Sequence, residues 1–507
     1  MRSWRAIVLL LPLLLSCHGK ESADDLPAAV QLSVASVSHT TVTLNLKHIN
    51  ADAVYVLCTP EGVVPSAAEL LSSGIKAGSD ELTLDGLEAG VTYNANAVAV
   101  NMAGICSQVQ TASFTTEAVQ DLLYPWELAR AEIPWLADIT LCTGGGVPNS
   151  NQWFQVPSKW NASRFAPHVS YKDGDGEHWL FDAFLAISGT DASGNNYGIN
   201  NNGRKSADKA SWEAFASYWL DAGGAFDELD KAVAAVVSRI GRPPCKRYVV
   251  MMMPDPVMLE YFSDKQSSRT YWGWLDGEQL DFNSIDDQVR ACIWYIDLVR
   301  EKFNALNPSY LQLAGVYILS EELVAKTDGY NYEYKRWDRI LPKVGEYLNS
   351  CNESLFWIPY RKADGIDVWK QLGINTAFLQ PNYYWDYSNS APIKDALAMV
   401  KDYDMGMELE FEYSMVEEVM STPGIMGPDA AGNYVFRKED VPSLRGRFRE
   451  YMQGFKDYNY YGERPIALYS GSNAMYQLAS SSVQADKDMY LELCRFIADN
   501  PLKDNNK

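Results

Sequence analysis

From Gln120 onward, short apolar runs alternate with amphipathic helical stretches, and this alternation recurs eight times. The predicted strands are Ile139–Thr143, Trp179–Ile187, Tyr248–Met253, Leu313–Ser320, Leu355–Tyr360, Thr376–Gln380, Met405–Glu412 and Ile466–Ser470. Between them lie predicted helices at Ser211–Ile240, Ile285–Leu306, Tyr334–Leu348, Ile393–Asp402 and Leu444–Tyr458, and Gln484–Ala498 follows the last strand. Strands joined through helices run parallel, and a parallel sheet is covered on both faces, which explains near-continuous apolar runs. Eight such units close into a (β/α)8 TIM barrel. An open doubly wound sheet is the rival, but Thr143-Gly-Gly-Gly146 after the first strand matches neither G-x-G-x-x-G nor a P-loop.

The residues before the barrel follow another pattern. Between Leu26 and Glu117, short alternating strands are expected at Ala29–Val37, Thr41–Lys47, Ala53–Cys58, Glu81–Leu84, Tyr93–Asn101 and Ala112–Thr116. Leu87-Glu-Ala-Gly-Val-Thr-Tyr93 and the closing Phe114-Thr-Thr116 resemble the fibronectin type III signature. The resemblance implies a β-sandwich over residues 28–117, placed as a stalk before a barrel spanning 120–502. Ahead of it, Met1-Arg-Ser-Trp-Arg5 is basic and Ala6–Leu15 is apolar, too short to span a bilayer and typical of an export signal. Leu14-Leu-Ser-Cys17 resembles the bacterial lipobox, which implies a signal peptide over 1–16, lipidation of Cys17 and a polar tether to residue 27. The expected location is then the outer membrane or cell surface, held by a lipid anchor.

Composition narrows the partners. A formal net charge of −22, with no basic run, opposes nucleic-acid binding. The 15 Trp and 30 Tyr suit the apolar faces of sugars as well as a core. Of the five histidines, only His168 and His178 fall inside the barrel, and neither closes a strand. Serine-hydrolase and histidine-metal chemistry therefore fit poorly, and no metal or other cofactor is expected, although an all-carboxylate calcium site stays open. Beyond Cys17, seven scattered cysteines form no CxxC pair; Cys58 and Cys106 share the first domain, and spacing alone does not decide whether they are bridged.

In such a barrel the active site lies at the C-terminal strand ends. Read as a strand, Met405-Gly-Met-Glu-Leu-Glu-Phe-Glu412 puts Met405, Met407, Leu409 and Phe411 on one face and Glu408, Glu410 and Glu412 on the other. The fourth strand runs through Tyr317 to Ser320-Glu321-Glu322. Carboxylates closing strands four and seven resemble the large clan of retaining TIM-barrel glycoside hydrolases. That resemblance implies Glu321 as acid/base and Glu410 as nucleophile, with Glu322 and Glu412 as alternates because the register is open. Ser320 departs from the asparagine usual before the clan's acid. Two carboxyl groups suit glycoside cleavage, since one protonates the leaving oxygen while the other attacks or directs water.

Other mouth residues are candidate sugar contacts: Asp182, Asp255, Tyr317, Tyr360, Asn382, Tyr383, Trp385, Glu408 and Asn473, with Trp272 and Trp274 weaker. Glu408 lies deeper and suits pairing with a buried Arg or Tyr. Together, the lipobox, the stalk, the acidic barrel and Gly406-Met-Glu-Leu-Glu-Phe-Glu412 resemble a family of Bacteroidota surface proteins, the domain of unknown function 4855. The expected activity is hydrolysis of a complex polysaccharide or host glycan at the cell surface, by retention. The alternatives are a glycan-binding lipoprotein on a barrel without chemistry, or a metal-using barrel enzyme. Sugar, linkage and oligomeric state are not encoded in any motif here.

Overall fold

The computed structural model describes residues 27–37, 41–85, 87, 90–116, 136–147, 159–198, 205–258, 271–323, 336–384, 392–421, 438–471 and 473–506. The expected export signal, Cys17 and Trp385 lie outside these residues. The chain divides into two compact units, 1–119 and 120–507.

The first unit is a fibronectin type III-like sandwich. Its strands are β1 (Ala29–Val37), β2 (Val42–Ile49), β3 (Ala53–Pro60), β4 (Ile75–Lys76), β5 (Glu81–Leu84), β6 (Thr92–Val100) and β7 (Gln110–Thr115), with a short helix α1 (Ala67–Ser73). One sheet has the order β1-β2-β5 and the other β4-β3-β6-β7. Alternation does the folding work: Val42, Leu44 and Leu46 are fully buried against Val56, Ala95 and Ala97, while their sequence neighbours face out. Cys58 and Cys106 are free thiols, because Cys58 faces Ala95 on β6 whereas Cys106 bridges Val100 toward the other end.

The second unit begins with β8 (Asp138–Thr143), α2 (Ala162–Val169), the hairpin β9 (Ser170–Asp173) and β10 (Gly176–Trp179), and β11 (Ala183–Ile187). Helices α3 (Lys209–Leu220) and α4 (Ala225–Ile240) lead to β12 (Arg247–Met253), the hairpin β13 (Tyr271–Leu275) and β14 (Glu278–Asp281), α5 (Ile285–Leu306) and β15 (Leu311–Ile318). Then come α6 (Trp337–Ser350), β16 (Ser354–Trp357), β17 (Thr376–Leu379), α7 (Ile393–Asp402) and β18 (Gly406–Glu410). Helices α8 (Glu417–Met420) and α9 (Val441–Asp457), β19 (Ile466–Tyr469), α10 (Ala474–Ser480) and α11 (Gln484–Ala498) complete the order.

Eight of these strands close a parallel barrel in the order β8-β11-β12-β15-β16-β17-β18-β19. Every residue of β12 is buried, as a strand covered on both faces requires. Just past β18, Phe411 packs on a helix, meeting Phe448 of α9 edge-on at 5.0 Å. The expected helix over Ser211–Ile240 is two helices, because Gly223 has φ +78 and Gly224 caps the second.

The expected second strand also begins too early. Trp179 belongs to the β9–β10 hairpin, and β11 starts only at Ala183. Asp182 therefore stands at the N-terminal end of the barrel, away from the mouth. There Arg247 donates to its carboxylate at 2.7 Å, Lys503 approaches at 3.1 Å, and its own N–H donates to Asp138 at 2.8 Å. It is a closing ion pair of the barrel floor rather than a sugar contact. Among the described residues, no helix is long and apolar enough to cross a membrane.

Candidate active site

The mouth is built mainly by β15, β17 and β18 and the segments that leave them. Strand β15 contains a bulge: Leu313 faces Val249 but Gly315 faces Val250, and Gly315 has φ +146. A side chain there would lie 1.9 Å from the Ser354 carbonyl oxygen, so the close approach to β16 demands glycine. Beyond the bulge Tyr317 is buried near Glu321, Glu408 and Asp255. The turn that follows is fastened at two points. Trp357 donates its indole N–H to the Ser320 carbonyl at 2.8 Å, and the Ser320 hydroxyl donates to the Glu322 carbonyl at 3.1 Å. Glu322 accepts a hydrogen bond from Tyr360, whereas Glu321 is exposed and its charge is felt by Glu408, Glu410 and Tyr469. Of the two adjacent glutamates, Glu321 thus belongs to the carboxyl cluster and Glu322 is tied to Tyr360.

On the other side, β18 ends with Glu408 and Glu410, both buried. Tyr451 of α9 donates to Glu410 Oε2 at 2.5 Å, and the Asn382 N–H donates to Oε1 at 3.2 Å. The Tyr383 N–H adds a third donor. Asn382 sits at φ +56, a left-handed conformation that asparagine tolerates, and this turns successive N–H groups toward one carboxylate. The Tyr384 N–H donates in turn to the Tyr451 hydroxyl at 2.9 Å.

Burial pushes the Glu410 carboxyl up to about 8; the Tyr451 and backbone donors pull against it, and the charge of Glu321 adds to the rise. Burial, then the charges of Glu410 and Glu321, hold Glu408 well above the usual carboxylate range. Among the described residues no cation forms an ion pair with either group. Glu408 lies one turn of the pleat below Glu410, with Tyr317, Tyr451 and Tyr469 for neighbours. Tyr469 is raised by burial first, then by Glu412, Glu408, Glu410 and Glu321, so Glu412 also faces this cluster.

The remaining expected contacts divide. Asp255 follows β12, is buried, and lies close enough to Tyr317 to raise its hydroxyl. Asn473 follows β19 with its amide nitrogen and oxygen both buried and without a hydrogen-bond partner among the described residues. Asn382 contributes its backbone to Glu410. Tyr383 is not a free stacking face: its hydroxyl bonds Glu450, the Arg447 guanidinium covers its ring at 5.4 Å, and Tyr451 meets it edge-on at 5.7 Å. Nor is Trp272, which is buried among Trp212, Phe282 and Trp294; Trp274 is 62% exposed.

Two tyrosines of this cluster were not singled out by the sequence. Tyr451 falls on the stripe Leu444, Phe448, Tyr451, Met452 and Phe455, which reads as plain core. The only signal was that a buried tyrosine hydroxyl needs a partner. Tyr469 ends β19, where its inward direction was open. His168 is buried and its imidazole is lowered to about 3 by burial and by Arg164, so it stays neutral. His178 pairs with Asp173 on the hairpin at 3.0 Å. Among the described residues no three His, Cys, Asp or Glu side chains are grouped to hold a metal ion.

A family model matches residues 149–424, and its description is Domain of unknown function (DUF4855). The chain belongs to this family. The DUF4855 match includes Glu321, Glu408 and Glu410 and stops before Tyr451 and Asn473. No curated protein matches the chain. Among solved structures, the fn3 domain of human collagen alpha-1(XX) chain is 23% identical, over 20% of this chain and 92% of that one, with a TM-score of 0.16. The fibronectin type-III domain of human fibronectin type III domain containing protein 3 is 14% identical, over 20% and 92%, also at 0.16. Chitinase ChiA74 from Bacillus thuringiensis is 16% identical over 19% of this chain, with a TM-score of 0.16. The match spans 14% of that chitinase's own length, and nothing about activity passes from it to the DUF4855 barrel.

Proposed function

We propose that the DUF4855 barrel is a glycoside hydrolase acting on a complex polysaccharide or host glycan. In this reading Glu321 is the acid/base and Glu410 the nucleophile of a retaining mechanism. The observation that supports it is that Glu321, just past β15, and Glu410, at the end of β18, lie near enough at the C-terminal strand ends for the charge of Glu321 to raise Glu410 and its neighbour Glu408. Glu321 is exposed and able to exchange its proton with a leaving oxygen and with water. Glu410 is held in one orientation by Tyr451 and two backbone N–H groups, donors that stabilise its anion. Asn473 and Asp255 are offered as sugar-hydroxyl partners, and Tyr317 as a hydroxyl beneath the scissile bond. The Cys17 lipobox supports a lipid-anchored place at the cell surface, where a polymer too large to import is met first.

A second reading has one observation in its favour. Burial lifts Glu410 to about 8, so much of it is protonated at pH 7, and a protonated carboxyl does not attack. A barrel that only binds glycan would tolerate that. A glycan-library screen for released reducing ends separates the two, run at pH 7 and 8.5 with wild type, Glu321→Gln and Glu410→Gln. Release abolished by both substitutions supports the hydrolase. Glycan retained without release at either pH supports the binder.

A further inference from the structure

We propose that one end of the sandwich, formed by Ile49, Met102 and Ile105, docks on the lipid surface to which the chain is tethered at Cys17. The inference rests on the lipid-anchor reading above and adds to it a surface and a geometry.

These three side chains are 68%, 79% and 44% exposed. Strand register places them together. Ile49 ends β2, and Ala53, just past the turn, pairs with Val100 at the end of β6. Asp52 donates its N–H to the Val100 carbonyl at 2.8 Å, which ties the turn holding Ile49 to the loop holding Met102 and Ile105. That loop is ordered by Asn101, whose buried side-chain oxygen accepts the Ile105 N–H at 2.8 Å, while Gly104 turns at φ +78. Met102 is therefore presented at a fixed apex, and docking would freeze little further backbone freedom.

The occupant follows from where the chain enters. Ala29 of β1 pairs with Ile49, so the sandwich begins at the end carrying the three apolar side chains. It leaves from the opposite end, since Thr115 pairs with Thr92. Nine residues lie between Cys17 and Pro27, ten residue-to-residue steps in all. Even fully extended they reach no more than about 33–36 Å, so a lipid on Cys17 holds this end at the membrane and makes contact an intramolecular event. Exposed Lys47 and Asp52 nearby give no basic patch, and the net charge is −22, so the fitting surface is a neutral, zwitterionic one. A second exposed pair, Val63 and Val64, follows Pro60, which faces Tyr93 at the exit end, and serves as an internal control.

The test is amide hydrogen exchange on the lipidated full chain in vesicles of phosphatidylethanolamine and phosphatidylcholine. The reference is the chain lacking residues 1–17, free in solution; mass analysis of the N-terminal peptide verifies the lipid independently. The expected result is exchange slowed several-fold at 49–52 and 101–107 on vesicles, unchanged exchange at 61–66, and loss of that protection in Ile49→Asp/Met102→Asp. Lipid present with equal exchange in both states overturns the docking while leaving the anchor intact. An N-terminal peptide without lipid overturns the anchor and the docking with it. Protection of the same loops in the soluble chain that grows with protein concentration assigns the surface to a second copy instead.

Discussion

Glu410 is where chemistry and stability oppose each other. Its carboxyl is raised in the fold, so the folded chain holds a proton that the unfolded chain releases. That contribution is complete below the ordinary carboxylate range and is lost as pH rises toward about 8. Glu410→Gln keeps the shape and removes the charge, so it should be more stable than wild type at pH 8 by at least about 1 kcal/mol, with a smaller gain at pH 5. Urea unfolding at the two pH values checks it. Tyr451→Phe acts in the other direction. It takes a donor from Glu410 and leaves the buried Tyr384 N–H without its acceptor, which should cost about 1–3 kcal/mol. It should also shift the ionisation limb of any pH–rate profile upward, which a purely structural role would not do. Much of this was legible in sequence, because alternation alone aligned Glu408 with Glu410 on one face. The partners were not: Tyr383 is itself one of the expected sugar contacts, yet Arg447, Glu450 and Tyr451 claim it from a helix more than sixty positions away.

Among the elements, the eight strands were visible because a buried parallel strand is an uninterrupted apolar run. Their ends were less so. Trp179-Leu-Phe continues the apolar run of β11 backward, but those residues serve a hairpin and a loop, and only the Asp182 ion pairs mark the true floor of the barrel. That floor is closed by a tail residue: Lys503 lies 2.6 Å from Asp138, whose carboxyl is raised to about 6, chiefly by burial and against the pull of Lys503. Lys503→Ala leaves Asp138 buried without its cation and should destabilise the barrel by about 3 kcal/mol or more, seen as a lower urea midpoint. Gly315→Ala should do comparable damage for a different reason. The added carbon meets the Ser354 carbonyl oxygen at 1.9 Å, so either the β15–β16 pairing opens or the bulge that aims Tyr317 is lost.

In the molecule as a whole, a sandwich entered at one end and left at the other precedes, in sequence, a barrel whose strand ends carry several carboxyl groups. The order of the sandwich and the barrel was legible because each uses a different periodicity. What was hidden is how a raised carboxyl is to be ionised for use. Cys17→Ser should abolish incorporation of labelled palmitate into the exported chain, and unchanged labelling would refute the anchor. The central proposal is that Glu410 attacks a glycosidic carbon while Glu321 handles the proton. Azide rescue of Glu410→Ala and Glu321→Ala, on an activated glycoside of the sugar released by wild type, reads both roles at once. A glycosyl azide of inverted configuration from Glu410→Ala, and of retained configuration from Glu321→Ala, is the predicted result. Wild-type turnover by either variant, with no glycosyl azide, would contradict it.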